Sequence, residues 1–526
     1  MMRKKQTPLT WPILLLLLTA VALLAACSAG DHLLLAEFND DGEAEIFLAE
    51  LGQAESEWQT LAEDVQRTFL FESELAAFVP ETNRILLWYV DGNDLRVEQL
   101  EIGDEAPAEV LEADADARLF AEMGPDADDI YFIEAENFDN YRCYISQDGA
   151  EAERLARGEL CFVNENGAVQ SEFDRDDGTT VTLISPDGED ETVILDEAED
   201  IWNVRYNEEL TLFAYVEFDG DEAQMFLIEP GAEEEEEFGE EFAFIDNFGF
   251  LGDGETVYAV GMLDEDDDEV GLFINAAGDA LLEAEEITLA GQSEDGDYAV
   301  FLTEEDDEMA AFVYNLAEGT VTEIAEEPSV SLMGFLTEDR FLLRTENDDE
   351  DVLLSVSNDG SEVIELLETD DHDVLFTYMN EAAEQLLVQL TDDEGTDTLY
   401  ITSLAAEDGY FLLEEWSSIT ILAATDEHLI FFGREDEDDD RALYSITWAE
   451  DSSETELDDD GEFGFRGVFF AADGRSIYYT AMEDGLDDTE VRRVPVDGSE
   501  SPEDLYRDMV LLDVIWAGEP NLQFLR

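Results

Sequence analysis

The sequence predicts an all-β protein built from about eleven four-stranded units, and two observations carry that expectation. The first is a recurring order of apolar strand, acidic loop, strand with an aromatic or apolar pair, turn and short strand. The strand after each loop is indexed by Phe47, Val97, Tyr144, Leu183, Phe226, Phe273, Tyr314, Leu354, Tyr400, Tyr444 and Val491, and these ten steps average 44.4 residues. The second is composition, with 45% hydrophobic and 10% aromatic residues spread evenly to the C-terminus, enough for a core despite the charge. A period in the forties with about four short alternating strands per unit is the pattern of a β-propeller, one blade per repeat.

The chain opens with a different segment. MMRKK is followed by the apolar WPILLLLLTAVALL and by Leu24-Ala25-Ala26-Cys27, the layout of a signal peptide. The Leu-Ala-Ala-Cys ending resembles the lipobox of bacterial lipoproteins, and that resemblance implies cleavage between Ala26 and Cys27, with Cys27 lipidated as the first mature residue. Expected boundaries are residues 1–26 for the signal peptide, 27–292 for a propeller of about six blades and 293–526 for one of about five. Eleven blades exceed the four to eight that one ring usually holds. A two-ring division would close the first ring near Ile287 to Gln292 and the second near Leu511 to Trp516. The implied location is extracytoplasmic, anchored to a bacterial membrane through the N-terminal lipid.

Charge separates the leader from the rest. Both lysines, Lys4 and Lys5, and Arg3 lie in the leader, so the mature chain sets 19 arginines against 140 carboxylates, 19 − 140 = −121. Such a surface repels nucleic acid and anionic lipid and could attract cations or a basic protein partner; a solvated, salt-adapted surface is the favoured reading, since acid also fills the other loops and the mature chain has no lysine.

The stretch FNDDGEAEIFLAEL, Phe38 to Leu51, poses the question of whether the acidic loops are calcium sites or turns. Asp, Asn and Gly supply the positive φ of tight connections, and the Glu required at the twelfth position of a helix-loop-helix calcium site is missing. The expected reading is therefore a hairpin turn and no cofactor. Calcium is the alternative, and its candidate ligands are Asp174, Asp176, Asp264, Asp266, Asp268, Asp436 and Asp438.

Four stretches carry a further resemblance: Ser185-Pro186-Asp187-Gly188, GPDADDIYFI from Gly124, SEDGDYAVFL from Ser293 and VFFAADGRSIYYTA from Val468. They are similar to the repeat of TolB-type, WD40-like propellers, though no Gly-His and Trp-Asp pairs recur. The resemblance implies an envelope propeller used for protein contacts and carries over no catalytic residue.

Chemical motifs are missing from the chain. It has no G-x-S-x-G elbow, H-E-x-x-H helix, phosphate loop or G-x-G-x-x-G fingerprint. His32, His372 and His428 fall in different units. Cys143 lies on a third strand and Cys161 on the next unit's inner strand. An oxidising compartment allows a disulfide between them, whereas their different radial positions suit two separate core thiols. The function expected is a binding or scaffold module without catalysis. The alternative is an envelope hydrolase or lyase using carboxylates on a propeller face, which a central pocket with three or more convergent carboxylates and an Arg or His would mark.

Overall fold

The computed structural model describes residues 32–515 apart from short connecting stretches, the longer ones being 52–57, 67–75, 102–106, 124–129, 264–268, 460–464 and 483–488, and it resumes at Gln523–Phe524. Cys27, Ala26 and the leader lie outside the described residues. What is described is a β-propeller: eleven antiparallel sheets, ten of four strands and one of five.

Each sheet meanders from an inner first strand to an outer fourth, and in sheet nine Gln523–Phe524 adds a short strand inside the first. The first strands are Ala76–Val79, Arg118–Met123, Leu160–Asn164, Ile201–Tyr206, Phe244–Phe250, Glu286–Gln292, Ser329–Thr337, His372–Asn380, Ser418–Ala424 and Phe465–Phe470 in sheets two to eleven. All eleven indexed aromatic and apolar positions fall on third strands. Middle strands are buried on both faces, as in Ser476–Met482, because each sheet is covered by its neighbours. Outer strands such as Thr320–Glu327 alternate between partial and full exposure.

Sheet one is completed from the far end of the chain. His32–Phe38 pairs on one side with Glu43–Glu50 and on the other with Met509–Ile515, which serves as its innermost strand. The expected closing stretch Leu511 to Trp516 thus overlaps the strand that closes, but its partner is the first sheet of the chain. Ile287 to Gln292 closes nothing: Glu286–Gln292 pairs with Tyr298–Glu305 inside sheet seven.

The hydrophobic clusters follow the same course, each shared by two consecutive sheets. One joins Tyr258 and Val260 of sheet six to Ala299 and Phe301 of sheet seven, across the expected boundary at 292/293. Another joins Tyr478 and Val491 of sheet eleven to Leu33 and Leu35 of sheet one. The division into 27–292 and 293–526 therefore has no counterpart in the described pairing and packing. Strand period reports blade length, whereas ring closure depends on which distant strands pair.

Seven first strands and the closing strand Met509–Ile515 carry a bulge, with extra residues at Asn203, Asp246, Ala290, Met333, Leu375, Leu422, between Arg466 and Phe469, and at Leu512. A bulge twists a strand and disturbs its outer ladder.

His32–Phe38 and Glu43–Glu50 form a hairpin with Phe38 opposite Ala44, so the acidic residues between them connect two paired strands. No helix flanks them.

Candidate functional site

Turns that join first to second strands, and third to fourth strands, leave the sheets at the same end. Three of them share one construction built by S-x-D-G. In Ser293–Tyr298 the Ser293 hydroxyl donates to Asp295 at 2.6 Å and accepts from the Tyr298 amide at 3.0 Å, while the Asp297 amide donates to Asp295 at 3.1 Å. Ser185 with Asp187 and Ser357 with Asp359 repeat it. The serine hydroxyls hold Asp187 and Asp295 below the ordinary carboxylate value, and Ser361 followed by Ser357 does so for Asp359.

A second construction links neighbouring sheets at this end. Asn164 donates to the Glu208 carbonyl at 2.7 Å, Asn207 to the Gly254 carbonyl at 3.1 Å and Asn380 to the Asp426 carbonyl at 3.3 Å. Each asparagine ends or follows a first strand and reaches the turn of the next sheet. Asn207 also accepts the amides of Thr211 and Leu212, and within this turn Leu210 adopts φ 56°.

These latched turns frame a cavity of about 480 Å³, within the range of small-molecule sites. It lies where the first strands of sheets five, six and seven end. Its chemistry comes from Arg205, Tyr206 and Glu208 of the fifth sheet, Asn247 and Tyr258 of the sixth and Gln292 of the seventh, with Phe248 and Phe250 adding apolar wall. Backbones meet closely here: a Cβ on Gly252 would come within 2.2 Å of the Gly296 Cα, so the two turns touch only because both are glycine. Gly249 likewise leaves room for the Tyr258 ring, 3.1 Å from where its Cβ would stand.

Arg205 is exposed and makes no ion pair with a carboxylate among the described residues. Several other arginines are matched to carboxylates. Arg344 forks onto Asp351 at 3.1 and 2.7 Å. Arg492 sits among Asp458, Glu490 and Asp504 at 2.9, 2.6 and 3.2 Å, joining sheets ten and eleven. Burial pushes the Tyr206 hydroxyl up to about 12 and raises Tyr258, with Arg205 opposing both. The two phenols are therefore protonated donors at neutral pH.

Cys143 and Cys161, both buried, are joined in a disulfide with Cα atoms 6.0 Å apart, tying sheet three to sheet four. Their radial difference is no obstacle because adjacent sheets stack face on face, and the strand of Cys143 packs directly against that of Cys161. Among the calcium candidates, Asp176, Asp264, Asp266, Asp268 and Asp438 lie outside the described residues. Asp174 ends the second strand of sheet four and Asp436 is exposed after the second strand of sheet ten. No group of three or more His, Cys, Asp or Glu placed to hold a metal occurs among the described residues. His32, His372 and His428 fall in sheets one, nine and ten, and burial lowers the His428 pKa.

Nothing at sequence level pointed to Arg205, Tyr206, Tyr258 or Gln292. The asparagine latch did leave a trace, since Asn164 and Asn207 stand one repeat apart.

Comparison with known proteins adds little beyond the fold. No family model matches the chain. No curated protein matches it. Among solved structures it is similar to a eukaryotic initiation factor at TM-score 0.40 and 9% identity, over 92% of this chain and 99% of that one. Prolyl oligopeptidase B from Galerina marginata gives 0.31 and 12%, over 70% of this chain and 56% of the enzyme. Oligogalacturonate lyase in complex with manganese gives 0.31 and 10%, over 62% and 87%. Likeness at this level carries no argument about activity.

Proposed function

We propose that the chain is a lipid-anchored, extracytoplasmic binding module of the TolB-like kind, which holds a ligand or partner without transforming it. The observation that supports this most is the cavity of sheets five to seven. It offers one arginine, one carboxylate, amides and phenols on a latched frame, which is the equipment of recognition. A carboxylate hydrolase or lyase needs at least a second acid or base converging on the same point, and Glu208 is the single carboxylate of this lining.

The anchor is testable apart from the ligand. Cells expressing the full chain are fed labelled palmitate. Label is expected on the parent and lost in Cys27→Ser, which should accumulate as precursor. Equal labelling of the two would defeat the lipid-anchored reading.

A further inference from the structure

Arg205 and Glu208 line one cavity three residues apart, a separation that chain geometry limits to about 10 Å. They form no ion pair with each other. Opposite charges left unmatched in one cavity are an uncommon provision in a chain so short of cations.

The Glu208 position is fixed by its own carbonyl, which receives Asn164 at 2.7 Å and Asn166 at 3.3 Å from the preceding sheet. Arg205 precedes Tyr206, whose ring is held between Phe162 at 4.9 Å and Phe213 at 6.1 Å. Tyr258 is packed against Gly249 and against Phe301 at 5.9 Å. The hydroxyls of Tyr206 and Tyr258 make no hydrogen bond to another described residue. The frame is therefore rigid, while a guanidinium, a carboxylate and two phenol donors are uncommitted.

We infer that this cavity binds a zwitterionic α-amino acid with a flat apolar side chain, or the like-charged end of a small molecule of that class. The inference rests on the binding-module reading and names its ligand. A guanidinium fork matches a carboxylate in two parallel bonds, and the phenols add donors to the same anion. Glu208 takes the ammonium. The partly buried ring of Phe250 and the rim of Tyr206 border the side chain, while Phe248 is taken up by the core.

Long-range charge selects the same class. In the field of a chain with formal net charge −118 a free anion is repelled before it reaches Arg205, and a free cation is attracted to the whole surface with no preference for this cavity. A molecule of zero net charge meets neither effect, so local matching decides.

The experiment is calorimetric titration of the mature chain with three probes sharing one ring: L-phenylalanine, 3-phenylpropionate, which lacks the ammonium, and 2-phenylethylamine, which lacks the carboxylate. Saturable binding of phenylalanine is expected, with each half-probe weaker by about 10- to 100-fold, the range for one charge-assisted contact. Arg205→Gln should erase the preference over phenylethylamine, and Glu208→Gln the preference over phenylpropionate. Both variants should melt with the parent, since neither side chain bonds to the frame.

Tightest binding by phenylethylamine, indifference of both variants, or no saturable binding of any probe would overturn the inference. Failure of the broader reading looks different. If phenylalanine binds and is recovered chemically altered, the non-catalytic reading falls while the site stands. If the chain captures an envelope partner yet ignores all three probes, the site falls alone.

Discussion

Replacing Asp351 by alanine should open the junction between sheets eight and nine and leave the next junction alone. Asp351 is the second residue of the third strand of sheet eight, and its carboxylate, 3% exposed, accepts two bonds from Arg344 and one at 3.0 Å from the Val374 amide in the first strand of sheet nine. Removal strands the buried Val374 amide, at a cost of about 1–3 kcal/mol. Arg344 is 25% exposed and keeps Glu346 at 3.8 Å, so its loss is discounted to about 1 kcal/mol for solvent screening. The sum, about 2–4 kcal/mol, corresponds to roughly a 30- to 1,000-fold drop in the protection of Val374 against hydrogen exchange. Exchange read by mass spectrometry supplies the assay, with the Ile419 amide as internal control. Ile419 is held by a different carboxylate, Asp397, at 2.7 Å. Asp351→Asn retains an acceptor for Val374 and should lose far less. If Val374 protection changes less than threefold in the alanine variant, or if Ile419 protection falls equally, the carboxylate is not what joins these two sheets.

Three further outcomes are expected. The S-x-D-G aspartates have folded pKa values depressed below the ordinary 3.8, so their contribution is present above that value and lost as pH falls through the depressed one. The melting gap between the parent and the triple variant Ser185→Ala, Ser293→Ala, Ser357→Ala should therefore narrow as pH falls below about 3.8, leaving the part owed to the amides that the hydroxyls also accept, and a gap independent of pH would contradict the role given to the hydroxyls. Cutting the bond between Cys143 and Cys161, 18 residues apart, by a double Cys→Ala change should cost about 3 kcal/mol; urea titration without loss of stability would show that the link constrains little. For the charge, molar NaCl should raise the melting temperature because the screening length shrinks from about 10 Å at 0.1 M to about 3 Å. Calcium at 1 mM should then add nothing, and a calcium shift that persists in 1 M NaCl would mark the acidic loops as metal sites.

How far the sequence could be read follows from the range of the forces involved. Strand identity is local: alternation and turn chemistry placed Phe47, Tyr400 and Val491 on equivalent third strands without reference to anything outside their own repeats. Closure is not local. Nothing in HLLLAEF or MVLLDVI says that each is the other's partner, since both are ordinary apolar strands, and the familiar limit on blade number suggested two rings where the pairing links the chain's two ends. The cavity was hidden for a similar reason. Arg205 and Gln292 lie 87 residues apart and meet only because three first strands end at one level. Cys143 and Cys161 were visible as a candidate pair, but radial position was the wrong coordinate to judge them by, because stacked sheets bring third and first strands face to face.

The pairing of His32–Phe38 with Met509–Ile515 also sets a timetable. A chain made from its N-terminus holds the first strand ready while 471 residues, from 38 to 509, are still to come. At about 5–20 residues per second that wait is roughly 25 to 95 s. During it, the inner edge of His32–Phe38 is an unfilled slot of unpaired backbone donors and acceptors, open to any extended segment that passes. The sheet nearest the start of the chain must wait for a strand near its end, and a translation stall anywhere before residue 509 leaves that slot unfilled.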